Sequence, residues 1–203
     1  MNANTTTPTR LVGNKAPAWN ADAVVGTDFK NLSSDDYKGK WKVLFFYPLD
    51  FTFVCPTEIV AFSNAVDKFK SLNAEVIACS IDSKFSHLAW TKQPRSEGGL
   101  GGVNFPILAD TTKKIAQDYG VLLEGAGIAL RGLFIIDDND VVQHSTINNL
   151  PVGRNVDEAL RLVEAYQFTA QHGEVCPAGW NSGDDSMKPD PSGSQEWFGK
   201  HSK

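Results

Sequence analysis

The stretch that decides the fold runs from Val43-Leu-Phe-Phe-Tyr47 directly into Pro48-Leu-Asp-Phe-Thr52-Phe-Val-Cys55-Pro56-Thr57-Glu58. Its first five residues form an apolar run of the length typical of a strand that is buried on both faces. Beyond it, apolar residues recur at intervals of three and four, which predicts a helix: Ile59, Phe62, Val66 and Phe69. A buried strand followed by a short turn and a helix is typical of α/β proteins.

The rest of the chain continues the alternation of strands and helices. Glu75–Ile81 predicts a second buried strand, and Ser83 can cap the helix after it. The remaining predicted elements, in order, are a flexible glycine loop at Glu97–Gly102, a strand near Phe105–Leu108, a helix over 112–119, a hairpin of Ile128–Ile136 with Val141–Ile147, and a helix from Asn155 to about Gln171. We therefore predict an α/β fold with a central mixed sheet flanked by helices and an extended C-terminal tail.

The amino-acid composition argues against two classes of protein, those that bind nucleic acids and those that span membranes. The chain has 203 residues, of which 41% are hydrophobic and 21% charged, with a net charge of −5. An acidic balance argues against nucleic-acid binding, and no apolar run approaches the ~20 residues of a membrane helix. The opening MNANTTTPTR lacks the apolar region of a signal peptide. We expect a soluble, cytoplasmic protein with a main domain over 10–170 and a C-terminal arm over 171–203.

Cys55 is the candidate nucleophile. It follows a strand and precedes Pro56, a residue that suits the first position of a helix. Backbone N–H groups and the dipole at a helix N-terminus favour a thiolate. Thr52 could donate a hydrogen bond to the sulfur or to a substrate oxygen. The alternative is that Cys55 fills space in the core and Thr52 caps a turn.

Arg131 is the only charged residue in the apolar segment Ile128–Ile136. If buried, it needs an anionic partner, such as Glu58 or the thiolate of Cys55. If it lies on an edge strand, solvent can surround it. Arg154 could join the same network, although on its own it has the pattern of an ordinary surface arginine.

The other two cysteines differ in setting. Cys79 lies in the strand-like segment EVIACSI, which indicates a core residue. Cys176 follows the last predicted helix, in Glu174-Val-Cys176-Pro-Ala-Gly-Trp180, where it could act as a second thiol or be incidental. The cysteine spacing is not that of a zinc site, so we expect no metal.

The motif Pro48-x-x-x-Thr52-x-x-Cys55 resembles the active-site motif of peroxiredoxins. The wider FYPLDFTFVCPTE and the later EVCPAGW resemble the typical two-cysteine subgroup, the alkyl hydroperoxide reductase C and thiol-specific antioxidant proteins. This resemblance spans nearly the whole chain, from Lys15-Ala-Pro-Ala-Trp19 to the tail. It implies a thioredoxin-like fold, thiol-dependent reduction of hydrogen peroxide and organic hydroperoxides, and no metal, flavin or haem cofactor.

The resemblance also implies roles for particular residues. Cys55 would be the peroxidatic cysteine, and Cys176 the resolving cysteine, acting on the neighbouring subunit. Pro48 would shield Cys55, Thr52 and Arg131 would polarise the peroxide, and Glu58 and Arg154 would hold the arginine network. The same resemblance implies a homodimer, often a ring of five dimers, and reduction by thioredoxin or a flavoprotein disulfide reductase.

The C-terminal tail leaves a choice open. Residues 181–203 contain only Met187, Trp197 and Phe198 as apolar side chains, too few for a core. The tail is either disordered, or its aromatic residues dock on the body or on a partner subunit. Trp197-Phe198 and the glycines of Gly98–Gly101 resemble the Tyr-Phe pair and glycine loop of relatives that are inactivated by excess peroxide, with tryptophan in place of tyrosine.

Two other classes of function compete with a peroxidase. A thioredoxin-type disulfide oxidoreductase needs a Cys-x-x-Cys pair, but position 58 is glutamate. A non-enzymatic assembly protein or holdase would not consume peroxide when it is supplied with a dithiol.

Overall fold

The computed structural model describes residues 10–202 and contains the predicted mixed sheet. The seven strands of this sheet are β1 (Asn20–Val25), β2 (Asp28–Ser33), β3 (Trp41–Phe46), β4 (Ala74–Ser80), β5 (Ile107–Ala109), β8 (Arg131–Ile136) and β9 (Val142–Asn148). Their order is β2-β1-β5-β4-β3-β8-β9. β3, β4 and β5 are parallel, and the remaining pairs are antiparallel.

Five helices accompany the sheet in the described chain: α1 (Cys55–Ser71), α2 (Lys84–Lys92), α3 (Lys114–Asp118), α4 (Val156–His172) and α5 (Pro191–His201). The N–H of Ser86 donates to the Ser83 hydroxyl, so Ser83 caps α2 as predicted. Short 3₁₀ turns cover Ser34–Tyr37 and Arg95–Glu97. None of the helices in residues 10–202 is long and apolar enough to cross a membrane.

The central strands carry the core. All six residues of β3 are buried, which confirms the prediction of a strand covered on both faces. The predicted apolar face of α1 is buried as well, at Ile59, Phe62, Val66 and Phe69. The rings of Phe45 and Phe62 stack with centroids 4.5 Å apart, which joins α1 to the sheet. The start of α1 is thereby fixed at the C-terminal end of β3.

Three segments differ from the prediction. The predicted strand Ile128–Ile136 is interrupted at Leu130, so that β7 (Ile128–Ala129) pairs with β6 (Leu122–Leu123) in a separate sheet. The hairpin of β1 and β2 was not predicted. The glycine loop is fastened to the end of α2, since the N–H groups of Leu100 and Gly102 donate to the carbonyls of Trp90 and Thr91.

The chain forms two compact units, one up to Val156 and one from Asp157 onward. In the second unit, Asp190 caps α5 by accepting hydrogen bonds from the N–H groups of Ser192 and Gly193. The tail therefore contains a helix, which contradicts the alternative of disorder, and docking of its aromatic residues stays a prediction.

Candidate active site

Cys55 lies at the first residue of α1 and is fully buried. Pro56 occupies the second helical position, one later than predicted. The carbonyl of Val54 accepts hydrogen bonds from the N–H groups of Thr57 and Glu58, which closes the first turn. The thiol therefore lies at the positive end of the α1 helix dipole, an environment that stabilises negative charge.

Arg131 is the first residue of β8, and only 3% of its surface is exposed. β8 lies between β3 and β9, so it is not the edge strand that would leave the side chain solvated. Its Nη1 atom donates to Glu58 Oε2 at 2.6 Å and to Cys55 Sγ at 3.4 Å, and its Nε atom donates to the carbonyl of Leu150 at 2.7 Å. A single guanidinium therefore bridges the thiol and the carboxylate.

Arg154 approaches the same carboxylate from the other side. Its Nε atom is 2.7 Å from Glu58 Oε1, its Nη2 atom is 3.0 Å from Oε2, and its backbone N–H donates to Oε1 at 2.8 Å. Nη1 donates to the carbonyls of Phe46 and Gly132. The side chain is 2% exposed, so Arg154 is not a surface arginine. Burial lowers the pKa of its guanidinium, and the hydrogen bonds to Glu58 oppose that change.

The charged side chains of the cluster do not cancel one another. Arg131 and Arg154 contribute two positive charges, and Glu58 contributes one negative charge. Uncompensated charge in a protein interior is costly, so the remaining positive charge favours an anion close to the Cys55 sulfur. The geometry thus supplies an anion-stabilising site around one buried sulfur.

The two loop residues take different positions. Pro48 is buried, and Thr52 is partly buried. The hydroxyl of Thr52 donates to the carbonyl of Leu49 at 3.0 Å, rather than to the sulfur as one prediction proposed. The oxygen lone pairs of Thr52 remain available to accept a hydrogen bond.

Cys79 and Cys176 lie in different units. Cys79 is fully buried in β4, within the main core, and burial together with nearby Asp110 raises the pKa of its thiol well above the ordinary value. Cys176 is partly buried beside the end of α4. Its Sγ atom is 3.7 Å from Thr169 Oγ1 and 3.6 Å from the carbonyl of Ala165.

Sequence reasoning missed a buried polar group next to the loop of Pro48 and Thr52. Tyr47, Asp50 and His87 form hydrogen bonds to one another there. The aspartate and the histidine are 37 residues apart in the chain, and no local spacing signals their contact. Within residues 10–202, no group of three or more His, Cys, Asp and Glu side chains is arranged to hold a metal ion.

Two family models and many known proteins are similar to this chain. The model of the AhpC/TSA family matches residues 12–145, and that of the C-terminal domain of 1-Cys peroxiredoxin matches residues 165–200. Peroxiredoxin-2 of Bos taurus is 61% identical over 190 residues, covering 94% of this chain and 96% of its own length. The mitochondrial thioredoxin-dependent peroxide reductase of Mus musculus is 60% identical, covering 95% of this chain and 75% of its own.

A solved structure extends the similarity to the fold. The reduced 2-Cys peroxiredoxin of Plasmodium vivax superposes with a TM-score of 0.91 and 45% identity, covering 94% of this chain and 99% of that one. The fold and the buried thiol define a cysteine-dependent enzyme with a thioredoxin-like architecture. The chain belongs to the AhpC/TSA family and is a peroxiredoxin, a thiol-dependent peroxidase.

Proposed function

We propose that Cys55 is the peroxidatic cysteine of this enzyme. The observation that carries the proposal is the 3.4 Å contact between Arg131 Nη1 and the buried Cys55 Sγ atom. A guanidinium at this distance stabilises the thiolate, which is the nucleophilic form of cysteine. Hydrogen peroxide and organic hydroperoxides are the substrates, and the reaction needs no metal or organic cofactor.

The first step converts Cys55 to a sulfenic acid. The thiolate attacks the terminal oxygen of ROOH, so that an S–O bond forms as the O–O bond breaks. The sulfur is oxidised by two electrons, and the leaving RO⁻ takes a proton from water and departs as an alcohol, or as water when the substrate is hydrogen peroxide. Cys55 is left as S–OH, the first stage of thiol oxidation.

The neighbouring residues act on the peroxide and on the thiolate. Arg131 stabilises the charge that develops on the oxygens, and one preorganised donor of this kind contributes about 3 kcal/mol. Thr52 accepts a hydrogen bond from the O–H group of the substrate and orients it for attack. Glu58 and Arg154 hold the guanidinium of Arg131 in place, and Pro48 shields the thiol from solvent.

The second step uses Cys176 as the resolving cysteine. Its thiolate attacks the sulfur of Cys55 S–OH, a disulfide forms, and the hydroxide leaves as water after gaining a proton. Because Cys55 starts a helix and is buried, the first turn of α1 must open first. From the family resemblance, we assign Cys176 to the neighbouring subunit of a homodimer, with five dimers forming a ring.

The assignment also includes the arm, the electron donor and the compartment. Residues 171–203 form the arm that carries Cys176, beside a peroxidase domain over 10–170. Thioredoxin or a flavoprotein disulfide reductase reduces the disulfide, and the name of the mouse relative supports thioredoxin. We place the protein in the cytoplasm, a compartment that keeps thiols reduced.

Peroxide consumption in the presence of each purified reductant tests the proposal. Cys55→Ser should abolish turnover because it removes the nucleophile. Cys79→Ser is the matched control, and it should leave turnover nearly intact because Cys79 lies in a strand of the core. Full activity in Cys55→Ser would overturn the assignment.

A further inference from the structure

Asp50 is the centre of a buried hydrogen-bond network in the loop that leads to Cys55. Its Oδ1 atom accepts a hydrogen bond from the Tyr47 hydroxyl at 2.7 Å, and its Oδ2 atom is 2.8 Å from His87 Nδ1. Its backbone N–H donates to Asp82 Oδ2 at 2.8 Å. The side chains of Asp50 and His87 are 1% and 0% exposed, so water does not compete for these bonds.

The hydrogen-bond partners of His87 place its protons. Nε2 lies 3.2 Å from the carbonyl oxygen of Leu108, which can only accept, so Nε2 carries a proton. The short contact between Nδ1 and Asp50 Oδ2 then requires one further proton between the two atoms. Both ring nitrogens of His87 therefore have hydrogen-bond partners, and the buried Asp50 carboxylate is not left unpaired in the interior.

The backbone conformation of the residue next to Asp50 shows why the loop needs these hydrogen bonds. Phe51 has a φ of +54°, in the left-handed region that a bulky side chain rarely adopts. Such conformations persist only where the surroundings fix them. The three hydrogen bonds of Asp50 fix the backbone on one side, and the rings of Phe51 and Trp90, with centroids 5.9 Å apart, fix it on the other.

We propose that Asp50 and His87 are positioning residues that hold the loop 48–54 in the conformation that presents Thr52 and Cys55 to peroxide. The inference rests on the proposed function of Cys55. His87 belongs to α2 and Asp50 to the loop, so the pair ties the loop to a separate element. Disulfide formation requires the first turn of α1 to open, and this opening weakens the contact between Asp50 and His87.

The proposal predicts opposite effects on the two chemical steps. Without the pair, the loop spends less time in its closed conformation, so the thiolate reacts more slowly with peroxide. The sulfenic acid reaches its partner thiol sooner, so the disulfide forms faster. A residue that only stabilises the fold would not move the two rates in opposite directions.

The test is rapid mixing of the reduced enzyme with hydrogen peroxide, followed by tryptophan fluorescence through both steps. In His87→Leu we expect the second-order rate of thiol oxidation to fall about tenfold or more, and the first-order rate of disulfide formation to rise severalfold. Asp50→Asn keeps a group that can donate to His87 Nδ1, so it should stay within about twofold of the parent enzyme in both rates. This conservative variant shows whether the hydrogen bond itself matters.

Lys42→Met is the control for general loss of stability. It breaks an ion pair in which Nζ of the buried Lys42 lies 2.5 Å from Oδ1 of the partly exposed Asp140, near the start of β3 and away from the loop. It should lower the melting temperature and leave both rates unchanged. If His87→Leu behaves in the same way, the positioning role is refuted.

A milder variant covers the case in which His87→Leu does not fold. Tyr47→Phe removes one hydrogen bond to Asp50 and keeps the ring. We expect slower thiol oxidation and faster disulfide formation, both by smaller factors than in His87→Leu, and unchanged rates would refute the proposal.

The outcome for the positioning role can be separated from the outcome for Cys55→Ser. Activity in Cys55→Ser overturns the proposed function, whereas loss of activity there with unaltered rates in the His87 and Tyr47 variants overturns only the positioning role.

Discussion

Glu58 is a buried carboxylate that two arginines share. Its carboxylate is 2% exposed and lies between the guanidinium groups of Arg131 and Arg154. Each oxygen accepts a short charge-assisted hydrogen bond, which is the arrangement that orients arginine most strictly. Glu58 therefore holds both arginines in place, while Arg131 alone contacts the sulfur.

Replacement of Glu58 should cost both stability and activity. Glu58→Gln keeps the shape but leaves two buried guanidinium groups without their counter-charge, and breaking a buried pair in this way typically costs about 3–5 kcal/mol. Denaturant unfolding of the reduced protein measures this loss. The rate of thiol oxidation should fall with it, because Arg131 loses its orientation.

Glu75→Gln is the matched control for this prediction. Glu75 pairs with Lys40 at 2.6 Å, but the two side chains are 26% and 44% exposed. A pair this exposed contributes at most about 1 kcal/mol. Equal losses of stability in the two variants would contradict the special position of Glu58.

Phe51 and Arg154 show what the sequence could not reveal about individual residues. The left-handed backbone of Phe51 has no signal in a residue type that usually avoids it. Arg154 follows a glycine in the chain, and only the folded protein brings it to Glu58 and to the carbonyl groups of Phe46 and Gly132. Such contacts depend on tertiary structure and not on local pattern.

Elements with strong periodicity could be predicted, and elements held by local chemistry were missed. α1 and β3 follow from uninterrupted or regularly spaced apolar residues. The hairpin of β1 and β2 has a weaker signal, in which Gly26 turns the chain with a φ of +63°. The start of α5 does have a signal in Asp190-Pro191, a capping residue followed by proline, which the apolar content of the tail obscured.

The glycine loop after α2 leads to a prediction at the scale of one element. A Cβ atom on Gly99 would lie 2.2 Å from the carbonyl oxygen of Gln93, so Gly99→Ala forces the backbone to move. Crowding of this kind typically costs about 1–3 kcal/mol. We expect a loss of stability in that range, measured by denaturant unfolding and accompanied by a change in tryptophan fluorescence, because Trp90 Nε1 donates to the carbonyl of Gly98 at 2.8 Å.

Gly125→Ala provides the control for the loop. Gly125 has no positive φ, and no atom lies within 4 Å of an added Cβ. Its replacement should leave stability unchanged within about 0.5 kcal/mol. If Gly99→Ala is equally neutral, the close packing of the loop against the end of α2 is refuted.

At the scale of the whole molecule, the two cysteines that we propose to react belong to different compact units. Cys55 opens α1 in the unit that ends at Val156, and Cys176 follows α4 in the unit that begins at Asp157. If Cys176 resolves the sulfenic acid of a neighbouring subunit, one equivalent of peroxide should produce a covalent dimer on non-reducing gels. Cys176→Ser should lose the dimer, and Cys79→Ser should keep it. A disulfide mapped within one chain would contradict the intersubunit assignment and leave the peroxidase activity standing.

The C-terminal helix α5 contains the aromatic residues that we expect to affect inactivation of the enzyme by excess peroxide. In α5, Trp197 stacks on His201 with centroids 4.3 Å apart and meets Phe198 edge to face at 5.5 Å. Trp197 Nε1 is buried without a hydrogen-bond partner among the described residues, and Phe198 is 51% exposed. The exposed ring of Phe198 is the group that a docking contact would use.

Removal of these aromatic residues should protect the enzyme. If α5 slows the opening of the first turn of α1, the sulfenic acid of Cys55 lives longer and a second peroxide can oxidise it to sulfinic acid, which the dithiol cannot reduce. A chain that ends at Gln195 should then need severalfold more peroxide for half-inactivation, as measured by residual turnover and by the mass of the Cys55 peptide. Glu196→Ala, which changes an exposed residue of the same helix and keeps both rings, should match the full-length enzyme. Overlapping inactivation curves for the truncated and full-length chains would show that the tail does not affect the competition between disulfide formation and oxidation to sulfinic acid. The lifetime of the sulfenic acid would then be set by α1 and its loop.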